Sequence, residues 1–358
     1  MKVLVGMSGG VDSAVAAYLI KQAGYEVIGA TMSIWEKGRT FSGVSTADAC
    51  FSPHEEQDIA AAREICNILN IPYHTVDCSE IYKKTVLANF KSEYLSGRTP
   101  NPCVWCNAKI KFQALPDAAR AAGIDFEKFA TGHYARILLN AKTNRYCLYR
   151  GVDDKKDQSY FLYRLSQEQL TRILLPLGDK TKAEIRNIAR SIGLPVSDKP
   201  DSQDFYSGNI NDILQAEPKP GLFVMKDGTV MGKHNGFWNY TIGQRKGLGI
   251  SAPAPLYVIG FDKDKNNVIV GYEDENVCHG LTAVSLCWSA IEPPTAPFTA
   301  LAKIRSSQPP TPVSVTPVAP DEIKIDFELN QRGVAPGQSV VLYDQDLILG
   351  GGIIKSGN

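Results

Sequence analysis

The feature that most constrains the fold of this chain is a glycine-rich turn between an apolar run and a helical pattern. Residues 3–5 form the apolar run, and residues 11–22 carry apolar side chains at helical spacing until Gly24. Glycines in such a turn bring backbone N–H groups against a phosphate, and the helix N-terminus adds the positive end of its dipole. The turn consists of Gly6, Met7, Ser8, Gly9, Gly10, Val11, Asp12 and Ser13. The sequence therefore predicts an anion site at the carboxyl edge of a parallel sheet.

Apolar runs and helical patterns alternate over roughly the first 200 residues. Ser52 and Glu55 are spaced as a capping box, which predicts a helix to about residue 69, and Thr181 and Glu184 predict another. Further strands are expected at residues 27–32, 73–76 and 129–131, and further helices through residue 95 and from near residue 106 past residue 115. This alternation predicts an open parallel sheet covered by helices on both faces.

The second part of the chain has strand patterns instead. A hairpin pattern surrounds Asp227 and Gly228, and apolar and polar residues alternate in residues 323–329, 339–343 and 347–354. We therefore expect an α/β protein of three domains. They are a doubly wound parallel sheet over residues 1–200, a small central α+β domain over 201–276 and an antiparallel β-barrel over 277–358.

Composition limits the function classes. Lys+Arg and Asp+Glu both total 38, so the formal charge is zero and any nucleic-acid site must be a local patch, which weighs mildly against an RNA partner. The start of the sequence is a poor signal peptide, and the apolar runs are too short for a bilayer span. We expect a soluble, cytoplasmic protein without a membrane partner. Among eight cysteines, only Cys103 and Cys106 form a CxxC, so a disulfide framework is not expected.

The loop lacks the Gly-Lys-Ser/Thr ending of a Walker A motif and does not fit GxGxxG. Its Ser-Gly-Gly-x-Asp-Ser sequence resembles the signature of the PP-loop pyrophosphatase family. The resemblance implies that ATP, with Mg²⁺, is cleaved between its α and β phosphates to adenylate a carbonyl oxygen. The alternative is an ordinary tight turn between a strand and a helix.

Further segments resemble the tRNA-specific 2-thiouridylases, or tRNA-uridine 2-sulfurtransferases. They are Gly-Arg-Thr-Pro-Asn-Pro-Cys-Val-Trp-Cys-Asn from residue 97, Ala-Thr-Gly-His-Tyr from residue 130, Lys-Asp-Gln-Ser-Tyr-Phe-Leu from residue 156 and Gly-Gln-Arg-Lys-Gly-Leu-Gly from residue 243. This resemblance implies 2-thiolation of the wobble uridine (U34) in the Lys, Glu and Gln tRNAs. The uracil C2 oxygen would be adenylated, and cysteine-borne sulfur from a persulfide donor protein or sulfide would displace AMP.

The resemblance also implies roles for particular positions. The ATP site maps to residues 6–13 together with Met32 and Gly132. The target base maps to Asn101, Pro102 and Cys103, and the rest of the tRNA to Lys156, Asp157, Gln158, Arg305 and Ser306. Cys106 takes the position of the first catalytic cysteine.

The chain departs from the family pattern at the second catalytic cysteine, where Tyr206 follows Asp201 and Ser202. Two replacements stay open. In the disulfide version, Cys103 and Cys106 both act in sulfur transfer and end as a disulfide. In the cluster version, Cys50, Cys103 and Cys106 are iron–sulfur ligands.

The remaining cysteines lack partners at ligand spacing, and Cys66 lies on the apolar face of its helix, so we expect them to be structural. Cys106 is expected at a helix N-terminus with Lys109 and Lys111 nearby, which predicts a lowered thiol pKa.

Several side chains keep two interpretations. Asp12 fits a metal ligand or a helix N-cap. His133 fits a nucleotide contact or a structural hydrogen bond. The basic pair Arg245 and Lys246 fits a mobile loop over the RNA backbone or a solvated hairpin tip. The aromatic residues Tyr160, Phe161 and Tyr163 fit a stacking surface for bases or a buried aromatic strip.

Two other functions compete with this one, and only the first of them explains the loop. One is a PP-loop ligase that adenylates a small carbonyl substrate for amidation, although neither the CxxC nor the barrel follows from it. The other is an RNA-binding module without catalysis, which the intact loop disfavours.

Overall fold

The computed structural model describes residues 1–35, 49–197 and 205–358. The chain forms two compact units. Unit 1 comprises Met1–Val86, Pro102–Asn209 and Asp346–Ile348, and unit 2 comprises Leu87–Asn101, Ile210–Gln345 and Leu349–Asn358. Among the described residues no helix has both the length and the apolar character needed to span a bilayer.

The strands are numbered in chain order. They are β1 (Lys2–Gly6), β2 (Glu26–Ser33), β3 (Tyr73–Asp77), β4 (Lys128–Ala130), β5 (Ala135–Asn140), β6 (Arg145–Arg150), β7 (Ile173–Leu174), β8 (Gly221–Val224), β9 (Val230–His234), β10 (Tyr257–Asp262), β11 (Asn267–Gly271), β12 (Val277–Trp288), β13 (Phe298–Lys303), β14 (Thr311–Ala319), β15 (Glu322–Arg332), β16 (Ser339–Asp344) and β17 (Leu347–Gly357).

The α-helices are numbered in the same way. They are α1 (Val11–Gln22), α2 (Glu55–Ile68), α3 (Ser79–Tyr82), α4 (Ala88–Leu95), α5 (Pro102–Trp105), α6 (Leu115–Ala121), α7 (Gln167–Arg172), α8 (Lys182–Ser191) and α9 (Ile210–Leu214). A π-helix, Lys83–Leu87, joins α3 to α4, and a second one, Cys106–Ala114, joins α5 to α6.

Unit 1 contains the predicted parallel sheet. Its strand order is β3-β2-β1-β4-β7, and each pair of neighbours is parallel. Val5 in the central strand pairs with Gly29 on one side and Ala130 on the other. The buried residues of β1 and α1 pack with those of α2 and α8 in one apolar core, which fixes the carboxyl ends of β1, β2 and β4 at a common edge. The antiparallel hairpin β5–β6 follows β4 and was not predicted.

Unit 2 contains the predicted β structure. Strands β8 and β9 form the hairpin around Gly228, and β11 adds to β8 in parallel. The barrel strands have the order β12-β15-β14-β13-β16-β17, and β12 also pairs with β17, which closes the barrel. The expected α/β fold with a C-terminal antiparallel barrel is confirmed.

Two local predictions were wrong. Helix α2 begins at Glu55 after His54, without the capping box that Ser52 suggested. The carboxylate of Glu55 instead accepts hydrogen bonds from the backbone N–H of Ile34 at 2.6 Å and from Ser33 Oγ at 2.7 Å, so the end of β2 competes for it successfully. The helix expected near Cys106 begins at Pro102, and Cys106 lies inside a continuous helical segment.

Candidate active site

The glycine-rich loop leaves β1 at Gly6 and enters α1 at Val11, as predicted. Its two serines contact each other: Ser13 Oγ accepts from the backbone N–H of Ser8 at 3.1 Å and lies 3.2 Å from Ser8 Oγ. Thr31 Oγ1 of β2 donates to the Met7 carbonyl at 2.7 Å. These bonds fix a short turn over the first turn of a helix, which is the geometry of an anion site.

Two glycines allow other segments to approach this loop. Gly9 has a φ of +71°, and a Cβ there would lie 2.7 Å from the carbonyl oxygen of Asp58. Gly132 follows β4, and a Cβ there would lie 2.6 Å from the Asp12 carbonyl carbon and 2.8 Å from the Ser13 nitrogen. The structure therefore brings Gly132 against the first turn of α1, close to residues 6–13, with which it is expected to form the ATP site.

Of the two roles considered for Asp12, the structure tests the helix N-cap. The residue before α1 is Gly10, without a side-chain cap, so the N-cap interpretation of Asp12 is wrong. Its carboxylate instead accepts from Lys182 Nζ at 2.8 Å through each oxygen and from Tyr134 Oη at 2.7 Å. Sequence reasoning missed Lys182, because nothing local links residues 170 positions apart; only the capping box that begins its helix was visible.

The end of β2 is the third segment at this edge. Met32, the expected nucleotide contact, is partly buried in β2 and pairs with Val76 of β3. Beyond it, Glu55 holds the backbone of Ile34 and of Trp35. The predicted nucleotide residues thus come from the ends of β1, β2 and β4 in one sheet of unit 1.

The candidate catalytic cysteines lie on the helical segment that begins at Pro102. Cys103 is in α5, and Cys106 is the first residue of the π-helix; both are partly buried. Gln169 of α7 supports this π-helix, because its Nε2 donates to the Ala108 carbonyl at 2.9 Å and to the Phe112 carbonyl at 3.2 Å. A π-helix loosens regular helical bonding and occurs often at functional sites.

The predicted lowering of the Cys106 pKa was wrong for this state of the protein. Burial raises the pKa of the Cys106 thiol to about 12; Lys111 opposes this rise, whereas Cys103, Cys50 and Cys78 add to it. The reason is that Cys106 lies within the helical segment instead of at its N-terminus, so desolvation dominates. Burial lowers the pKa of Lys111, but the nearby Cys106, Cys50 and Cys103 raise it more, so the net shift is upward.

Cys50 also belongs to this cluster. It is exposed. Burial raises the pKa of Tyr82 well above its usual value, and the nearby Cys106, Cys50 and Cys103 add to this rise. The segment that carries Tyr206 lies beside it, since the backbone N–H of Phe51 donates to the Phe205 carbonyl at 3.0 Å and the Phe51 and Tyr206 rings are 6.2 Å apart. Asp201 and Ser202 lie outside the described residues.

The described cysteines are free thiols. Within the described parts of the chain, no three His, Cys, Asp or Glu side chains are arranged to hold a metal ion. Among the described residues, the thiols of Cys50, Cys103 and Cys106 do not form such a group, and the cluster version stays a prediction. Cys66 and Cys78 are buried, as expected for structural residues.

Other side chains can now be assigned. Tyr160 is 1% exposed and Tyr163 is fully buried, so the buried-strip interpretation holds for these two tyrosines, whereas Phe161 is partly buried. His133 Nδ1 is 2.7 Å from Thr131 Oγ1, which matches the structural interpretation. Burial lowers the pKa of His133 well below its usual value, and Lys111 adds to the effect. Arg245 and Lys246 are exposed in unit 2, as an RNA contact requires.

The residues expected to contact tRNA are spread over both units. In unit 1, Lys156 is partly buried, the Asp157 side chain is only 1% exposed and bonds Arg150, and Gln158 accepts from the Tyr134 N–H at 3.0 Å. In unit 2, Arg305 donates to the carbonyls of Ile242 and Gly333.

Of the residues expected at the target base, Pro102 and Cys103 begin α5 in unit 1. Asn101 is buried in unit 2, and Ser306 in the same unit is partly buried.

A parallel sheet with a Ser-Gly-Gly-x-Asp-Ser loop after its first strand defines the PP-loop class of nucleotide-binding proteins. Three family models match the chain: a tRNA methyl transferase HUP domain over residues 1–206, a tRNA methyl transferase PRC-barrel domain over 209–272 and an aminomethyltransferase beta-barrel domain over 278–354. The tRNA-specific 2-thiouridylase MnmA of Endomicrobium trichonymphae is 50% identical over 356 residues, which is 99% of each chain. The enzyme of the same name from Acetivibrio thermocellus is 44% identical over 99% of each chain. The chain therefore belongs to the tRNA-specific 2-thiouridylase family.

Similarity to solved structures is weaker. A 4-thiouridine synthetase in complex with RNA and bound ATP aligns with a TM-score of 0.36 and 17% identity over 60% of this chain and 45% of that one. Similarity at this level supports no conclusion about the site.

Proposed function

We propose that this chain is an ATP-dependent tRNA-uridine 2-sulfurtransferase that thiolates the wobble uridine of the Lys, Glu and Gln tRNAs. The observation that carries the proposal is the presence, in one compact unit, of the phosphate-type loop and of a cluster of thiols around Cys106. A reaction that activates a carbonyl with ATP and then delivers sulfur requires both. Membership in the 2-thiouridylase family supports the same substrate.

The first step activates the base. The C2 oxygen of uracil is a poor leaving group, so it attacks the α-phosphate of ATP, and pyrophosphate departs. The loop N–H groups and the hydroxyls of Ser8 and Ser13 bind the phosphates and stabilise the negative charge that develops on the departing pyrophosphate. The carboxylate and hydroxyl oxygens of Asp12, Ser8 and Ser13 are suitable ligands for Mg²⁺, which would neutralise phosphate charge when bound.

The second step delivers sulfur. In the disulfide version, a donor first converts Cys106 to a persulfide, whose terminal sulfur attacks C2 and displaces AMP. A second thiolate then attacks the Cys106 sulfur, so that the S–S bond to the base breaks, 2-thiouridine leaves and a protein disulfide forms. The sulfane sulfur is reduced by two electrons, which come from Cys106 and the second thiol as these form a disulfide. An external dithiol then reduces the disulfide back to two thiols.

Cys103 or Cys50 supplies the second thiol, in place of the cysteine that Tyr206 replaces. Cys103 is three residues from Cys106 in the same helical segment, and Cys50 precedes the Phe51 backbone that bonds the segment of Tyr206. Both thiols are close enough to Cys106 to affect its pKa. The position of Cys50 supports the proposal independently of the CxxC spacing.

The tRNA must present its base outside the stack. An anticodon loop makes this inexpensive in free energy, because its bases are already unpaired. Arg245 and Lys246 in unit 2 offer exposed positive charge for the RNA backbone, and the partly buried Lys156 adds a positive charge in unit 1. Asp157 and Gln158 would act indirectly, since their side chains hold Arg150 and Tyr134.

An exchange assay separates this function from ligation of a small carbonyl substrate. Exchange of labelled pyrophosphate into ATP should depend on added tRNA with a U34 anticodon and should not respond to small carboxylic acids. The Cys106→Ser variant should keep tRNA-dependent exchange and lose thiolation, because Cys106 acts only in the second step. Exchange that requires a small acid and ignores tRNA would refute the proposal.

A further inference from the structure

The phosphate-type loop carries no cation. Residues 6–13 include neither Lys nor Arg, although Asp12 adds a negative charge. A nucleoside triphosphate carries several negative charges. In the Walker A loop, a lysine within the loop itself binds the terminal phosphates. The balancing protein cation for this loop must therefore come from another part of the chain.

Lys182 is positioned to be that cation. Its ammonium lies 2.8 Å from each oxygen of the Asp12 carboxylate, in the first turn of α1 directly after the glycines. The residue is only 8% exposed. It is the first residue of α8, where the helix dipole disfavours a positive charge, so the stability of α8 does not explain a lysine at this position.

The surroundings hold Lys182 rigidly. The reciprocal hydrogen bonds of Thr181 and Glu184 fix the beginning of α8, and the backbone N–H of Lys182 donates to Asp153 Oδ2 at 2.9 Å. Tyr134 shares Asp12 Oδ1 with the ammonium, and its ring centroid is 5.9 Å from Lys182 Nζ. A buried ion pair gives little net stability after the cost of desolvation. The contacts that support the Asp12–Lys182 pair therefore indicate a functional requirement.

We propose that Lys182 binds the phosphate chain of ATP, and that Asp12 and Tyr134 hold its ammonium beside the loop in the nucleotide-free protein. This inference rests on the proposed function, because it requires a nucleoside triphosphate at the loop. When the phosphates bind, the ammonium exchanges its bonds with the Asp12 carboxylate for bonds with phosphate oxygens. Lys182 is then a substrate-binding residue supplied by a helix distant in sequence.

Binding of ATP and of adenosine to the full chain, measured by calorimetry without Mg²⁺, tests this role. Lys182→Met should weaken ATP binding at least tenfold and leave adenosine binding within about twofold, because only ATP carries phosphates. Lys182→Arg, which keeps the charge, should recover part of the ATP affinity. Lys180→Met, two residues earlier, is the matched control and should bind both ligands as the wild type does. If Lys182→Met does not fold, Lys182→Gln replaces it.

A second comparison excludes a purely structural role. If Lys182 only neutralised Asp12, removing both charges in Asp12→Asn/Lys182→Met would restore ATP affinity to the wild-type value, and the inference would be overturned. We expect the double variant to remain at least tenfold weaker. ATP binding by Lys182→Met at wild-type strength would also overturn the inference while leaving the proposed function intact. A wild type that binds neither ATP nor adenosine would overturn both.

Discussion

At the scale of single residues, contacts between elements distant in sequence decide the chemistry of the site. The carboxylate of Asp12 meets the ammonium of Lys182 because α8 packs against α1. Burial raises the pKa of the Cys106 thiol to about 12. The backbone of Gly132 approaches the first turn of α1 closely because glycine has no Cβ.

The close approach at Gly132 gives the first prediction. Gly132→Ala should lower the stability of the protein by about 1–3 kcal/mol, since its methyl group would overlap the backbone of Asp12 and Ser13. It should also weaken ATP binding, because the first turn of α1 must move. The control is Gly260→Ala, whose Cβ would have its nearest neighbour at 3.6 Å. Thermal unfolding and calorimetry check both variants; wild-type values for Gly132→Ala would contradict the geometry.

The raised pKa of Cys106 gives the second prediction. With a thiol pKa of about 12, the thiolate fraction is small at neutral pH and increases about tenfold per pH unit between pH 7 and 10. Alkylation of the Cys106 peptide, followed by mass spectrometry, should accelerate accordingly. Lys111→Met should slow it at every pH by removing the stabilising cation, whereas the exposed Lys109→Met should not. A rate that levels off near pH 8 would mean an ordinary thiol pKa.

At the scale of elements, hydrophobic periodicity and capping residues predicted the helices whose ends depend on their own residues alone. Helix α1 and the capping box of α8 have the predicted positions. The start of the cysteine helix at Pro102 was missed, although a proline at the first helical position is a recognised signal. The π-helix Cys106–Ala114 has no sequence signature that we can identify. The side chain that donates to its Ala108 carbonyl, Gln169, comes from α7.

The support of the π-helix by α7 gives the third prediction. Gln169→Leu removes the donor to the Ala108 and Phe112 carbonyls and should destabilise the protein by about 1–3 kcal/mol. Because the change acts on the segment of Cys106, thiolation should decrease more than ATP–pyrophosphate exchange does. The exposed neighbour provides the control, Glu168→Gln. Equal losses of the two activities would show that the π-helix does not position the thiol.

At the scale of the whole molecule, the alternation of strands and helices was sufficient to predict a parallel sheet, and the strand patterns predicted the barrel. The division into units was less predictable. Residues 87–101 belong to unit 2, where Gln338 Nε2 donates to the carbonyls of Thr99 and Pro100 at 3.2 and 2.7 Å. Such long-range bonds have no local signal. The zero net charge still requires local basic patches for RNA.

The exposed pair in unit 2 gives the fourth prediction. Arg245→Ala/Lys246→Ala should weaken tRNA binding and reduce the slope of log affinity against log salt by about 2, because two phosphate contacts are lost. Lys226→Ala/Lys233→Ala removes the same charge from the exposed β8–β9 hairpin and should change the slope less. Filter binding over a salt series measures this. An unchanged slope for the first pair would exclude it from the RNA interface.

The central claim is that Cys106 transfers sulfur to an ATP-activated uridine with Cys103 or Cys50 as its partner. Mass analysis of nucleosides from tRNA incubated with ATP, a persulfide donor and a dithiol tests it most directly. We predict 2-thiouridine at the wobble position with the wild type, none with Cys106→Ser, and none with the double variant Cys50→Ser/Cys103→Ser, while Cys278→Ser serves as the control. Full thiolation by the double variant, or any by Cys106→Ser, would contradict this account.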